Sequence, residues 1–346
     1  MDALIKHMAA GEELSPREVG VAAEFLLDES AGAEKKIILL KTLAAKGETA
    51  GEIAEFVNVF LEHAVDTGFS KLGLDGPSID VCGTGGDQLG MFNVSTTSMF
   101  IVAAAGAMVM KHGNRGITSK SGGADVLEAL GIKIDREPAD ARACLEATGL
   151  CFLFAPAYHP AFKAVAPVRQ ALAKDGVRTI FNLIGPLLNP ARPECQLVGV
   201  MSEELVPVFA DILGRLGRDS AWVVNGRTED GRAVDEISLL GPTRICKAGA
   251  YQEAIDEEIS PADFGLNVGK ISDLVGGDAA HNAKILEDIL SGQDSGPRCD
   301  MVVLNAAAAI ACAGLSDDMG EGLKMARQLI KNGAALERLR RMQEFS

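Results

Sequence analysis

Apolar and polar positions divide the chain into two kinds of pattern. Over residues 1 to about 65 the apolar positions recur at helical spacing only. Ile53, Phe56, Val57, Phe60, Leu61 and Ala64 form one such stripe. Ser15-Pro16-Arg17-Glu18 and Thr49-Ala50-Gly51-Glu52 read as capping boxes, the first with Pro at the first helical position. This segment is too small to bury much by itself. Its leftover apolar faces predict packing on the rest of the chain or on a second copy, hence a homodimer through the N-terminal helices.

A polar linker with Gly and Pro spans 66–77. Beyond it the pattern alternates between strand and helix. Strands are expected near 78–82, 107–110, 151–154, 196–200 and 221–225, with helical stretches between them. The fold class is therefore α/β: a mainly parallel sheet flanked by helices, joined to a small all-helical domain. Residues 158–193 interrupt the alternation. There Tyr158-His159-Pro160 opens a helix carrying Arg169, and the run Arg178 to Pro190 follows. This segment is expected to join the N-terminal helices. The division would be 1–72 with 158–193 (helical) against 73–157 with 194–346 (α/β), with a cleft between. Farther on, Gly276-Gly277-Asp278 caps a helix. Met301–Ala313, apolar apart from Asn305, reads as a buried helix, and Leu323–Met342 as a solvated outer one.

Ligands in such sheets bind beyond the carboxyl ends of the strands. Two candidate junctions lie there. Strand 78–82 stops at Gly83-Thr84-Gly85-Gly86-Asp87, and Asn93-Val94-Ser95-Thr96 then opens a helix near Thr97. Glycines permit sharp turns and close backbone approach, and a helix N-terminus adds unpaired N–H groups, so this order favours a phosphate or diphosphate. The second junction repeats the theme. Lys111-His112-Gly113-Asn114-Arg115 leaves the strand as a polar loop, and Thr118 to Gly123 leads to a helix near Ala124. Three cations, Lys111, Arg115 and Lys120, lie between the two junctions. Asp235-Glu236 follows a later strand on the same side. Alone the pair reads as a solvated turn; opposite a diphosphate loop it suits Mg²⁺, which takes one or two carboxylates plus water and phosphate oxygens.

Composition narrows the partners. The 346 residues carry a formal net charge of −15. A general nucleic-acid binder would show the opposite sign. Any phosphate site must then be made locally, by loop amides, a few cations and Mg²⁺. The seven Cys lack metal-ligand spacing and read as reduced, mostly buried thiols. The first twenty residues lack the apolar core of a signal peptide, and no run of 18 apolar residues exists. The expectation is a cytoplasmic protein with no membrane and no nucleic-acid partner.

Taken together, the motifs GTGGD at 83–87, FNVST at 92–96, KHGNR at 111–115, SGGADVLEALG at 121–131, RTIFNLIGPLLNP at 178–190, VDEIS at 234–238 and LNAAAA at 304–309 resemble the anthranilate phosphoribosyltransferases (TrpD) of tryptophan biosynthesis, over essentially the whole chain. The resemblance implies a nucleoside-phosphorylase-like fold. It also implies transfer of phosphoribosyl from 5-phosphoribosyl 1-diphosphate to anthranilate with release of diphosphate, aided by Mg²⁺. On this basis Gly83, Gly86, Asp87, Met91, Asn93, Val94, Ser95, Thr96, Lys111, His112, Gly113, Asn114, Arg115, Ser119 and Gly123 would meet the donor. Gly83, His112, Asn114 and Arg169 would meet anthranilate, Arg169 facing its carboxylate. His112 reads either as a pocket wall near the amine or as a structural residue. Ser95, Asp235 and Glu236 would hold the metal. No general base stands out; Lys111 and the metal would act by charge stabilisation.

The chain departs from the family's pattern in places. Met91 stands where the family usually has Thr, Gly123 where Ser or Ala is commoner, and Asn225 where His is frequent. Other readings are a phosphoribosyltransferase for a different aromatic acceptor, a pyrimidine nucleoside phosphorylase and a non-catalytic nucleic-acid-binding relative. The second lacks its Lys-His-Ser lead into the glycine loop, since Asp80-Val81-Cys82 stands there. The third conflicts with the acidic charge.

Overall fold

The computed structural model describes residues 1–86, 89–116, 120–250 and 252–345. Four helices open the chain: α1 (Asp2–Ala9), α2 (Pro16–Leu27), α3 (Ala33–Lys46) and α4 (Ala50–Glu62). Both expected capping boxes form. Glu52 does more than cap. While Thr49 N–H donates to Oε2 at 2.9 Å, Leu14 N–H donates to Oε1 at 2.8 Å and Lys46 pairs with the same carboxylate at 2.7 Å. Each oxygen of this buried charge is thus satisfied, as burial requires.

The remaining elements run β1 (Ser78–Gly83), α5 (Val94–Ala104), β2 (Met108–Gly113), α6 (Gly123–Ala129), α7 (Pro138–Thr148), β3 (Leu150–Phe154), α8 (Ala155–Tyr158), α9 (Ala166–Lys174), β4 (Cys195–Gly199), α10 (Leu205–Arg215), β5 (Ser220–Arg227), β6 (Ala233–Val234), β7 (Thr243–Gly249), β8 (Gln252–Ile259), α11 (Ile271–Leu274), α12 (Ala279–Leu290), α13 (Pro297–Cys312), α14 (Met319–Lys331) and α15 (Ala334–Glu344). The sheet order is β3-β2-β1-β4-β5-β7-β8, with β6 paired to β5. Strands β1 to β5 pair in parallel, and the pairs β5–β6, β5–β7 and β7–β8 are antiparallel.

Three sequence expectations need correction, and one feature lay outside them. The antiparallel extension β6–β8 was not foreseen, because Gln252–Ile259 is rich in Glu, Asp and Ala, residues depleted in strands. The helix expected from Tyr158 is broken: α8 stops at Tyr158, a 3₁₀ turn covers Pro160–Ala164, and Arg169 belongs to α9. Pro160 and Pro167 lack the N–H groups that one continuous helix would need. The run 323–342 is two helices, because Gly333 takes φ 81° and ends the first. Finally, Lys111 and His112 belong to β2 rather than to the loop after it, and both are buried.

Two apolar cores result. One packs α5, α12, α13, α14 and α15 with α6 and α7 around strands β1, β2 and β3. The other joins α1 to α4 and the 165–188 segment to α10 and to residues of β1, β4, β5 and β7, including Cys82, Val198, Val223 and Cys246. The helical segment therefore packs through α10 toward the sheet. Helix α5 is buried all round, and α13 is buried along nearly its whole length, as its composition implied. No described helix is long and apolar enough to cross a membrane.

Candidate active site

Strands β2 and β3 extend the sheet to one side of β1, and β4 lies on its other side. The direction of strand order therefore reverses between β1 and β4, a position that opens a crevice at the strand ends. The Gly83–Gly86 loop leaves β1 there. Gly85 and Gly86 take φ of 70° and 95°, left-handed values that favour glycine.

The acidic pair reaches the same place by a route the sequence does not announce. β6 turns the chain back against β5, and Asp235 and Glu236 then pass across the ends of three strands. A Cβ at Gly83 would lie 2.6 Å from Asp235 Oδ2, at Gly199 1.6 Å from Asp235 O, and at Gly226 2.5 Å from Glu236 O. Three glycines at the ends of β1, β4 and β5 thus make room for one acidic segment. Gly85 N–H donates to Asp235 Oδ2 at 2.7 Å, tying the carboxylate to the loop. Behind it, Asn305 of α13 clamps Ile237, accepting from its N–H and donating to its O, each at 2.9 Å. A small cavity is lined by Ser95, Glu236, Cys82 and Asn305.

Asn93 precedes α5, but its side chain does not cap the helix. It faces Ser121 instead, its Nδ2 donating to Ser121 O at 3.3 Å. Val94 and Thr96 are buried in the first turn of α5. Lys111, projecting from β2, donates to Val81 O and, at 3.3 Å, to Ser95 Oγ. The structure therefore brings Gly83, Gly85, Ser95, Lys111, Asp235 and Glu236 together. Gly113 ends β2 where a Cβ would press on the Phe152 ring at 2.9 Å. At Gly123 a Cβ would lie 2.9 Å from Thr96 Oγ1, so the missing side chain suits this packing. Met91 forms an antiparallel bridge with Val275, and its side chain packs against the main core. Asp87 and Ser119 lie outside the described residues.

The second junction is built differently. Asp125 Oδ2 accepts from Gly116 N–H at 2.8 Å and Gly122 N–H at 2.7 Å, so the protein's own carboxylate takes these amides. Arg115 pairs with Glu128, lies 3.5 Å from Asp125, and stacks over Phe154. Asn114 is exposed, its Oδ1 accepting from Arg115 N–H at 2.8 Å. Lys120 is exposed.

A row of rings leads away from Lys111. His112 meets His159 edge-on at 5.3 Å, His159 stacks on Phe162, Phe162 meets Phe181 edge-on, and the Arg169 guanidinium lies 5.1 Å over Phe181. Among the described residues no carboxylate pairs with Arg169, and burial lowers its pKa. Burial, with His159 and Lys111 nearby, pushes His112 down to about 3, and His112 Nε2 is buried without a hydrogen-bond partner. His159 is lowered by burial too, and its Nε2 bonds Leu188 O at 2.8 Å. Fully buried Asp80 accepts from Asn189 Nδ2 at 2.9 Å and from His112 N–H at 3.3 Å, which joins the 178–190 segment to β1 and β2. Burial raises the Asp80 pKa, against the opposing pull of Lys111.

Sequence reasoning missed His159, Asp80 and Asn189 as members of this region, and Asn305 as the support of the acidic pair. Asn189 and Asn305 carried a readable signal, an amide inside an otherwise apolar run. At Asn225, noted as a departure from the family's pattern, Nδ2 donates to Val200 O at 2.7 Å inside the sheet.

Residues 75–336 match the family described as "Glycosyl transferase family, a/b domain". The chain is 43% identical over 338 residues to the anthranilate phosphoribosyltransferase of Chloroflexus aggregans, covering 98% of this chain and 96% of that one. Among solved structures it resembles the anthranilate phosphoribosyltransferase of Thermus thermophilus, with TM-score 0.88, 35% identity and coverage of 99% and 98%. It also resembles the Saccharomyces cerevisiae enzyme in complex with PRPP and Mg, with TM-score 0.84, 27% identity and coverage of 99% and 96%.

Proposed function

The chain belongs to the anthranilate phosphoribosyltransferase family, and from that premise we propose how its residues divide the work of the transfer. The protein is a glycosyltransferase that moves phosphoribosyl from 5-phosphoribosyl 1-diphosphate to the amine of anthranilate, releasing diphosphate, in tryptophan biosynthesis. The observation that carries our assignment is the meeting of Asp235 with the Gly83–Gly86 loop where the strand order reverses.

In this reading the donor lies along the Gly83–Gly86 loop and the start of α5. The α5 amides, with no side-chain cap, face its phosphate oxygens. Asp235, Glu236 and Ser95 would hold Mg²⁺. The fit is chemical: the set offers only oxygen, and its three residues are too few to complete an octahedral shell, so water and substrate phosphate finish it. Consistent with that, no group of three or more His, Cys, Asp or Glu among the described residues could hold an ion alone. When bound, Mg²⁺ would neutralise charge developing on the leaving diphosphate. Lys111, held beside Ser95, adds a fixed positive charge.

The ribose C1–O bond to diphosphate breaks as the anthranilate nitrogen bonds to C1, and the nitrogen then loses one proton. An aromatic amine is unprotonated at neutral pH, so no base is needed to activate it. A neutral His112 fits a wall beside the amine. Arg169, a half-buried cation without a carboxylate partner, fits the anthranilate carboxylate. Residues 1–72 with 158–193 would close against 73–157 with 194–346, excluding water from the activated sugar. Exposed Val21 and Ile38 on α2 and α3 support pairing of two copies there, and seven free thiols support a cytoplasmic setting.

The test follows anthranilate fluorescence over time with the protein, the donor and Mg²⁺. Loss of signal that needs all three and stops with EDTA is expected. Donor binding by calorimetry without fluorescence loss would mean a different aromatic acceptor.

A further inference from the structure

We propose that Asn282 is a positioning residue that locks the donor-facing start of α5 to the second junction behind it, so that its amide sets the affinity for the phosphoribosyl donor. The proposal rests on the donor-site reading above. Asn282 lies 189 residues beyond Asn93 in sequence, on α12, yet is 3% exposed between the two loops.

Its orientation is imposed. Asp278 caps α12, accepting from His281 N–H at 2.9 Å. One turn on, Asn282 Oδ1 accepts from Gly277 N–H at 2.8 Å. A flipped amide would set two donors face to face, so Nδ2 takes the other position, where it also lies 3.4 Å from Gly277 O. There it donates to Asn93 Oδ1 and to Ser121 Oγ, each at 2.9 Å. Asn93 opens α5, and Ser121 belongs to the second junction. One side-chain amide therefore joins them, and Asn93 Nδ2 closes the ring on Ser121 O.

The segment before α12 grips the first loop from behind. Phe92 N–H donates to Leu274 O at 3.2 Å, and Gly276 N–H to Gly90 O at 2.9 Å. A Cβ at Gly276 would lie 2.8 Å from the Phe92 backbone and 2.9 Å from Asn282 Oδ1, so the contact depends on glycine. The grip is made by main chain around Met91, through its bridge to Val275. It does not depend on the side chain at 91, so the Met that stands there leaves it intact. A loop held in its bound shape loses less freedom on binding, and the gain appears as affinity.

Steady-state kinetics test this, with anthranilate and 5-phosphoribosyl 1-diphosphate varied in turn and Tm measured alongside. If the unaltered protein consumes no anthranilate, the functional reading falls, independently of Asn282. In an active protein, Asn282→Ala should raise the donor KM by roughly tenfold and leave the anthranilate KM within about twofold. Asn282→Asp keeps the size and the acceptor for Gly277 but faces Asn93 Oδ1 with a carboxylate oxygen. It should raise the donor KM at least as much. Ser121→Ala probes the partner side, and its effect should be less than additive with Asn282→Ala. A purely structural role would lower Tm and the active fraction with donor KM unchanged; that result in Asn282→Asp, or in Ser121→Ala should neither Asn282 variant fold, overturns the proposal.

Discussion

The two βα junctions look alike in sequence and are built on opposite plans. At the first, Gly85 and Gly86 take left-handed φ, Asn93 turns away from the helix it opens, and the α5 amides take no side-chain cap. At the second, Asp125 already holds the Gly116 and Gly122 amides, and Glu128 holds Arg115. What the second contributes to the centre is Lys111, buried in β2. Glycine enrichment and a following helix therefore do not by themselves identify an anion cradle. The difference lies in which carboxylate takes the amides: the proposed metal ligand Asp235 holds Gly85 at the first junction, whereas Asp125, outside the proposed metal set, holds Gly116 and Gly122 at the second.

The comparison breaks most readily at the acidic pair. Asp235→Asn with Glu236→Gln should cut Mg²⁺-dependent turnover by about 10³-fold or more, measured as anthranilate consumption. Unchanged activity would move the metal elsewhere. Lys111→Met tests the cation from the second junction, and kcat should fall by about 10²-fold. A change confined to stability would reduce Lys111 to a buried prop.

Arg169→Ala stands outside both junctions and serves as the control. Its anthranilate KM should rise by roughly 10-fold or more while the donor KM holds. Equal effects on both substrates would contradict the assignment. A pH series addresses His112. Folding lowers its pKa from 6.5 to about 3, so the unfolded chain binds the proton more readily. Its contribution is intact above pH 6.5 and is lost as pH falls toward 3, in the same direction as His159. Asp80, raised by burial, acts in the opposite sense as it takes up a proton. His112→Gln should flatten the decline of Tm on acidification, and an unaltered slope would reject that account. The smallest effect is Asp125→Ala, which frees the amides of the second junction. It should cost about 1 kcal/mol in urea unfolding with little change in donor KM. A large rise in donor KM would erase the distinction between the junctions.

Much of this was legible in the sequence. Helical periodicity, two capping boxes and alternating apolar runs determined the N-terminal helices and the five parallel strands, because each depends on neighbours within a few residues. The glycine loop at 83–86 was legible for the same reason. The tertiary structure alone decided which groups share the site. Asp235 meets Gly83, Gly85 and Gly199 only because β6 turns back across the strand ends. Asn282 meets Asn93 and Ser121 only because α12 docks behind both loops. Lys111 could be read as a loop cation until β2 proved long enough to bury it. Local pattern records backbone preference and burial, whereas a site assembled at strand ends depends on strand order, and no short window of sequence contains that.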